Sequence, residues 1–174
     1  PRIKVAMPSS FGFTVNPYKV GESEDTQKQI VSTETKITNY SEVPVKVKCA
    51  QLAATTSNAT DPSKAPVYVE EAANVADDDQ KGVNLKLAYT TTQGNYESGD
   101  AIGVKAFNAE DASAYTVNKD LATLAKATSE TEAAAQGTVY MKYDGSVNNK
   151  SAQPWLADDQ VIALAVFTFD IAAE

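Results

Sequence analysis

The sequence predicts a mainly β protein: an antiparallel β-sandwich, Ig-like or jelly-roll-like, of about seven to nine strands with one or two short helices. Many segments alternate apolar and polar residues with the period of two that a half-buried strand requires. Val, Ala and Thr far outnumber the five Phe and one Trp, which favours packing of sheet on sheet. A length of 174 residues suits one hydrophobic core, so residues 1–174 are expected to form a single domain.

The first predicted element is a short strand in residues 1–8. Three apolar residues alternate there with charged or small ones: Ile3, Val5 and Met7. Pro8 separates them from a second alternating run at residues 11–15. A detached alternating strand can pair with another chain as readily as with its own, so residues 1–8 are predicted to be an exchangeable N-terminal strand. The chain begins at Pro1 without an initiator methionine, which is expected of a trimmed product.

Residues 30–49 carry the clearest strand signal of the chain. Two amphipathic strands are joined there by a polar corner at residues 39–42, which predicts a hairpin. Cys49 falls on the inward face of the second strand, so its thiol is expected in the core and not at a reactive site. With one cysteine in the sequence, no disulfide can form within the chain.

The second half of the chain combines strands with a helical interval. Strands are predicted at residues 83–89, 101–107 and 139–143. A turn at Asp144-Gly145 is expected to end the third of these strands. An apolar stripe of helical spacing predicts a helix over residues 118–128. The alanine-rich segment that ends at Gly137 extends this helix or forms a second one.

The last segment, residues 160–171, is apolar on both faces. One face carries alanines and phenylalanines, and the other is aliphatic. A strand with two apolar faces is either central in a sheet or covered by a partner. Together with the N-terminal strand, this segment supplies the candidate residues for assembly between chains: Ile3, Val5, Met7, Ile162, Leu164 and Val166.

Composition argues against several classes of function. Lysine and arginine total 15 against 23 aspartate and glutamate, a net charge of −8 without a basic patch, so nucleic-acid binding is not expected. There is no histidine and one cysteine, which removes the common Ser/His/Asp, Cys/His and zinc arrangements, so the chain is not expected to be an enzyme. No apolar run approaches the ~18 residues of a membrane helix, so no membrane-spanning segment is expected here.

Three candidate sites each have a plainer explanation. Three adjacent acids are weak candidates to bind calcium: Asp77, Asp78 and Asp79. A solvent-exposed acidic loop is the favoured explanation of this run. A platform for sugar rings is considered on three aromatic residues: Tyr140, Tyr143 and Trp155. For Trp155, packing in the core or against a sheet edge is the favoured role. An amide bond between Lys and Asn, promoted by a buried acid, is disfavoured because the parity of the strand lysines points them outward: Lys36, Lys46 and Lys48.

Residues 36–47 (KITNYSEVPVKV) resemble the strand, Asn-x-Ser/Gly, Val-Pro-Val hairpin of secreted β-sandwich proteins of Gram-positive bacteria, a group that includes the TasA and camelysin-like fibre proteins. Residues 5–18 (VAMPSSFGFTVNPY) are similar to the start of uncharacterised surface proteins of the same bacteria. The resemblance implies export to the cell surface or matrix, with β-strand exchange between subunits as a route to fibres. Ser41 stands where the fibre proteins usually have Gly, and without histidine their metalloprotease residues have no counterpart here.

The favoured function is a structural subunit of an extracellular appendage, fibre or cell-surface layer that assembles through β-strand addition. Its expected partners are other copies of itself or other surface proteins. An adhesin or carbohydrate-binding module with glycan ligands is the alternative. A secreted hydrolase is the least favoured class, because histidine chemistry is missing.

Overall fold

The computed structural model describes residues 2–18, 29–76 and 79–173 and confirms a mainly β chain with antiparallel sheets. Twelve strands occur in these ranges: β1 (Val5–Ala6), β2 (Phe13–Val15), β3 (Ile30–Ser32), β4 (Thr35–Asn39), β5 (Val45–Asn58), β6 (Val67–Tyr68), β7 (Gly82–Thr90), β8 (Asp100–Gly103), β9 (Lys105–Ala106), β10 (Thr116–Leu124), β11 (Thr138–Val147) and β12 (Asp159–Ile171). The strands predicted at residues 83–89 and 139–143 lie within β7 and β11. The strand count exceeds the predicted one because two predicted strands are each divided in two, as β3 with β4 and as β8 with β9, and because β10 was not predicted as a strand.

One α-helix, α1 (Glu130–Gln136), and three short 3-10 helices (Pro62–Lys64, Ala72–Ala76 and Ala112–Tyr115) occur in the described ranges. Ser129 caps α1, because its hydroxyl accepts a hydrogen bond from the N–H of Glu132 at 3.2 Å. Gly137 ends α1, as predicted for the alanine-rich segment. No helix in this part of the chain is long and apolar enough to cross a membrane.

The helix predicted over residues 118–128 is wrong, because Thr116–Leu124 forms β10 instead. β10 pairs with β5, and its register shifts at residues 120–122, which marks a β-bulge. The bulge reverses the alternation, so that Leu121 and Leu124 are both buried although they are three positions apart. A bulged strand therefore reproduces the residue spacing of a helix.

The strands form two large sheets and one small sheet. The first large sheet has the order β1-β4-β11-β7-β6, with β8 also paired to β7. The second has the order β10-β5-β12, with β9 paired to β5, while β2 and β3 pair with each other. Neighbouring strands run antiparallel except for β5 with β9 and β6 with β7. Both large sheets contribute to one hydrophobic core, which includes Leu87 and Met141 from the first sheet and Val47 and Leu52 from the second.

Residues 39–44 carry the chain from the first large sheet to the second. The predicted hairpin is wrong, because β4 and β5 lie in different sheets and do not pair with each other. Asn39 is fully buried and holds this corner: its side-chain amide donates to the carbonyl oxygens of Val43 at 2.9 Å and Ala125 at 3.0 Å. The inward position of Cys49 on β5 is confirmed, since its side chain is buried in the core.

The strand predicted at residues 101–107 is divided between the two large sheets. β8 pairs with β7 in the first sheet, and β9 pairs with β5 in the second. Ile102 and Val104 are both buried. The sequence shows one alternating run because the apolar residues keep facing the shared core while the backbone changes its partner strand.

β11 continues through the residues at which a turn was predicted. Asp144 pairs with Lys86 of β7 and Gly145 pairs with Leu85, so the predicted Asp144-Gly145 turn is wrong. A Cβ atom at position 145 would overlap the carbonyl oxygen of Asn84 on the neighbouring strand. Glycine is therefore required here by the close approach of two backbones within a sheet.

Candidate functional site

Strand β12 lies at the edge of the second sheet. It pairs with β5 along its full length, from Asp159 opposite Asn58 to Ile171 opposite Val45. Within the described ranges, no strand pairs with its other side. The backbone N–H and C=O groups of that side are therefore available to a further strand.

The outward face of β12 carries a row of exposed apolar side chains, the β12 row. Ile162, Leu164 and Val166 are 55%, 44% and 37% exposed. The alternate residues of the strand, such as Ala163 and Phe167, pack against the hydrophobic core. One apolar face therefore covers the core, and the other is open in the single chain. The predicted alternative of a central strand is wrong, and cover by a partner stays a prediction.

The N-terminal segment is attached to the edge of the first sheet by a short pairing. β1 has two residues and pairs with β4 of the same chain. Val5, at the middle of the segment, is half-buried, whereas Ile3 and Met7 are 41% and 45% exposed. The N–H of Lys4 adds a hydrogen bond of 2.6 Å to the hydroxyl of Ser41. Within the chain, the apolar side chains of this segment are therefore only partly buried.

The three aromatic residues considered as a sugar platform do not share one exposed surface. Tyr140 and Tyr143 lie three positions apart on β11, so they point to opposite faces of the sheet, and both are buried. The Tyr143 ring stacks on Phe11 with ring centroids 5.0 Å apart. Trp155 packs partly buried against the core, and its indole N–H donates to the carbonyl oxygen of Asn148 at 2.9 Å. In the single chain the rings of Tyr143 and Trp155 pack with the core, and Tyr140 is buried on the opposite face of β11.

The calcium candidate falls largely outside the described residues. Asp77 and Asp78 are not among them, and only Asp79 is. In the ranges that the structure describes, no group of three or more His, Cys, Asp or Glu residues is placed to hold a metal ion. The described residues therefore supply no support for calcium at this loop.

A buried ionic cluster lies where the first large sheet meets the second. Lys81, one residue before β7, and Asp159, the first residue of β12, form an ion pair with 2.6 Å between Nζ and Oδ2. Their side chains are 1% and 2% exposed. The carboxylate also accepts hydrogen bonds of 2.8 Å from the side-chain amide of Asn58 and from the N–H of Leu156. Burial raises the pKa of Asp159, but these hydrogen bonds and the Lys81 charge outweigh it, so the pKa lies below its usual value.

The side-chain amide of Asn58 is fixed at both ends within this cluster. Its Nδ2 donates to Asp159, while its Oδ1 accepts from the backbone N–H groups of Thr60 at 3.0 Å and Asp61 at 2.8 Å. Two N–H donors on one carbonyl oxygen withdraw electron density from the attached carbon. The carbonyl group of the Asn58 side chain is therefore polarised by fixed donors.

Sequence reasoning did not find this cluster, because its members are brought together only by strand pairing and sheet packing. Asn58 and Asp159 become neighbours when β5 pairs with β12, and Lys81 joins them from the other sheet. No local pattern around Lys81 signals the contact. The lysines that were considered for an amide bond do face outward as predicted: Lys36, Lys46 and Lys48.

No family model, curated protein or solved structure matches this chain. The resemblance to exported surface proteins therefore depends on residues 36–47 and 5–18 alone.

Cys49 is expected to be unreactive in the folded protein. Burial raises the pKa of its thiol to about 12, well above the value of about 8.5 for a free thiol. At about pH 9, iodoacetamide should label Cys49 in denaturant and leave the native protein unlabelled, as intact mass would show. Because the folded pKa is the higher one, this group stabilises the fold fully below about pH 8.5 and progressively less as the pH rises further. Rapid labelling of the native protein would contradict the core position.

Proposed function

We propose that this chain is a structural subunit of an extracellular fibre, appendage or cell-surface layer, and that its subunits join by β-strand addition. We also infer that the two large sheets, which share one core, form an antiparallel β-sandwich. The observation that carries the proposal is the edge of β12, a strand of 13 residues with one strand partner in the described ranges and the exposed β12 row.

The edge of β12 suits both interactions that strand addition uses. The backbone of a new strand would continue the sheet, and its alternate side chains would pack on their neighbours. At ~3.3 Å per residue, the 13 residues of β12 offer an edge of about 40 Å. Residues 161–169 contain no charge and no proline, the devices with which proteins protect a free edge, although one bulge follows Val166. This edge therefore favours pairing with another chain.

The N-terminal segment of a second copy is the partner strand that the chain itself offers. Residues 2–8 are held by the two-residue strand β1 and present alternating apolar side chains. Arg2 and Lys4 make this segment basic, whereas the whole chain has a net charge of −8. Opposite charge favours the approach of residues 2–8 to another subunit, while two whole subunits repel each other.

An extracellular location is supported by the resemblance of residues 36–47 and 5–18 to exported surface proteins of Gram-positive bacteria. In that setting the partners are other copies of the chain or other surface proteins. The proposed function requires neither a cofactor nor a catalytic residue, since strand addition uses backbone hydrogen bonds and apolar contact.

Leu164→Lys is expected to abolish assembly, because a charge in the middle of the β12 row opposes its cover by a partner. Light scattering over a concentration series should show the particle mass of the wild type rising with concentration. The mass of the variant should stay near that of one chain. Thr168→Lys is the matched control, because it adds the same charge to the same exposed face of β12 outside the β12 row. It should assemble as the wild type does.

Deletion of residues 1–8 tests the identity of the donor strand. Loss of assembly in both the deletion and Leu164→Lys supports donation of the N-terminal strand to β12. Loss in Leu164→Lys alone would show that β12 pairs with a different segment and would overturn the choice of donor. A wild-type chain that stays monomeric at every concentration would overturn the proposed function.

A further inference from the structure

The buried cluster connects strands of both large sheets. Asn58 ends β5, and Asp159 begins β12 directly opposite it, both in the second sheet. Lys81 precedes β7 of the first sheet. A covalent bond between Lys81 and Asn58 would therefore cross from one sheet to the other.

The amine of Lys81 and the amide of Asn58 both contact the carboxylate of Asp159. Oδ2 of Asp159 binds Lys81 Nζ at 2.6 Å and the N–H of Leu156 at 2.8 Å, and Oδ1 binds Asn58 Nδ2 at 2.8 Å. The two N–H groups on Asn58 Oδ1 are placed to stabilise negative charge on that oxygen. Lys81 is buried, and its Nζ lies 5.9 Å from the centre of the Trp155 ring, so the cluster is shielded from water. The ion pair between Lys81 and Asp159 does not by itself require the hydrogen bonds that hold the side chain of Asn58.

We propose that Lys81 and Asn58 form an intramolecular amide bond between Nζ and Cγ, with Asp159 as the proton carrier. The reaction begins when one proton passes from Nζ to Oδ2 of Asp159 and leaves a neutral amine. The lone pair of Nζ then attacks Cγ of Asn58, and the C=O electron pair moves to Oδ1. The N–H groups of Thr60 and Asp61 hold the negative charge on that oxygen.

Collapse of the tetrahedral intermediate breaks the bond between Cγ and Nδ2 of Asn58. Asp159 donates its proton to Nδ2 and accepts a second proton from Nζ, so that ammonia leaves. The ammonia takes this last proton and departs as ammonium, which restores the carboxylate. A lysine ammonium and an asparagine amide thus become a secondary amide and ammonium, and the reaction uses no oxidant, reductant or cofactor.

The bond fastens the two large sheets together at the end of the molecule where β12 begins. In a fibre joined through β12, tension that passes from β12 to β5 by strand pairing would reach β7 through this bond. The inference follows from the cluster alone, so it holds equally for a chain that does not assemble.

The mass of the purified protein, measured after denaturation, tests the bond. We expect the wild type to weigh less than its sequence by one molecule of ammonia, and proteolysis to release a branched peptide that contains Lys81 and Asn58. Lys81→Arg keeps a cation beside Asp159 but supplies no nucleophilic amine, so it should have the full mass. Lys64→Arg, at an exposed lysine, is the matched control and should keep the loss of ammonia.

Wild-type protein at the full mass of its sequence would overturn the proposal, whether or not any variant folds. A loss of ammonia that persists in Lys81→Arg, or that maps to another residue, would overturn it as well. Asp159→Asn tests the proton carrier, because it keeps the shape of the side chain and removes the acid. This variant should have the full mass, and a bond formed in it would overturn the role of Asp159.

Discussion

Asp159→Ala is expected to lower the free energy of unfolding by about 3 to 5 kcal/mol. The substitution leaves the buried ammonium of Lys81 without its carboxylate partner. It also removes the acceptor for the side chain of Asn58 and the N–H of Leu156. If Lys81 is covalently linked in the wild type, this range is a lower bound, because the variant loses the link as well. Urea unfolding followed by the fluorescence of Trp155, the one Trp of the chain, measures the change.

Asp120→Ala is the matched control, because Asp120 forms an ion pair of 2.8 Å with Lys46 at the protein surface. Solvent screens that pair, so the unfolding midpoint should stay near that of the wild type. An equal loss of stability in the two variants would show that burial of the ion pair between Lys81 and Asp159 does not set the size of the effect.

In protein in which Lys81 is an unlinked ammonium, the stability difference from Asp159→Ala should shrink at acid pH. The pKa of Asp159 is lower in the folded state than in the unfolded chain. Its contribution to stability is therefore complete above about pH 3.9 and is lost as the pH falls through the folded-state pKa. The same urea titrations repeated at falling pH measure this, and a difference that grows towards acid pH would contradict an ionised Asp159.

Gly145→Ala is expected to lower the free energy of unfolding by more than about 2 kcal/mol. The added methyl group would overlap the carbonyl oxygen of Asn84, so β7 and β11 would have to separate inside the first sheet. Gly103→Ala in β8 is the control, because a Cβ atom at that position meets no atom within 4 Å. Its stability should be unchanged or slightly raised. Thermal unfolding by circular dichroism compares the three proteins, and equal midpoints for both variants would argue against the close backbone approach.

The strand content could be predicted from the sequence because alternation is a local property. It is visible over many residues in β5 and β7, and it placed Cys49 in the core correctly. The end of α1 at Gly137 was predictable for the same reason, since a helix stop depends on adjacent residues.

The features that could not be predicted depend on residues far apart in the chain. The bulge of β10 places Leu121 and Leu124 on the same buried face although they are three positions apart. From the sequence alone, that spacing indicates a helix. Gly145 is required by Asn84 on another strand, so a turn was the better local interpretation. The apolar residues of β12 were evident, but the strand order decides that they lie at an edge. The buried cluster has no signal until both sheets are formed.

The pairing of β5 with β12 also sets the order in which the chain can fold. β5 is the central strand of the second sheet, yet Asp159, the first residue of its partner, follows Asn58 by 101 positions. On a ribosome β5 is therefore made long before β12, and such non-local pairing slows folding. Until residues 159–171 emerge, one side of β5 stays open and the core beneath it stays uncovered. Closure of the second sheet is thus a late step in biosynthesis, and a chain that stops before Asp159 would be released with an aggregation-prone strand exposed.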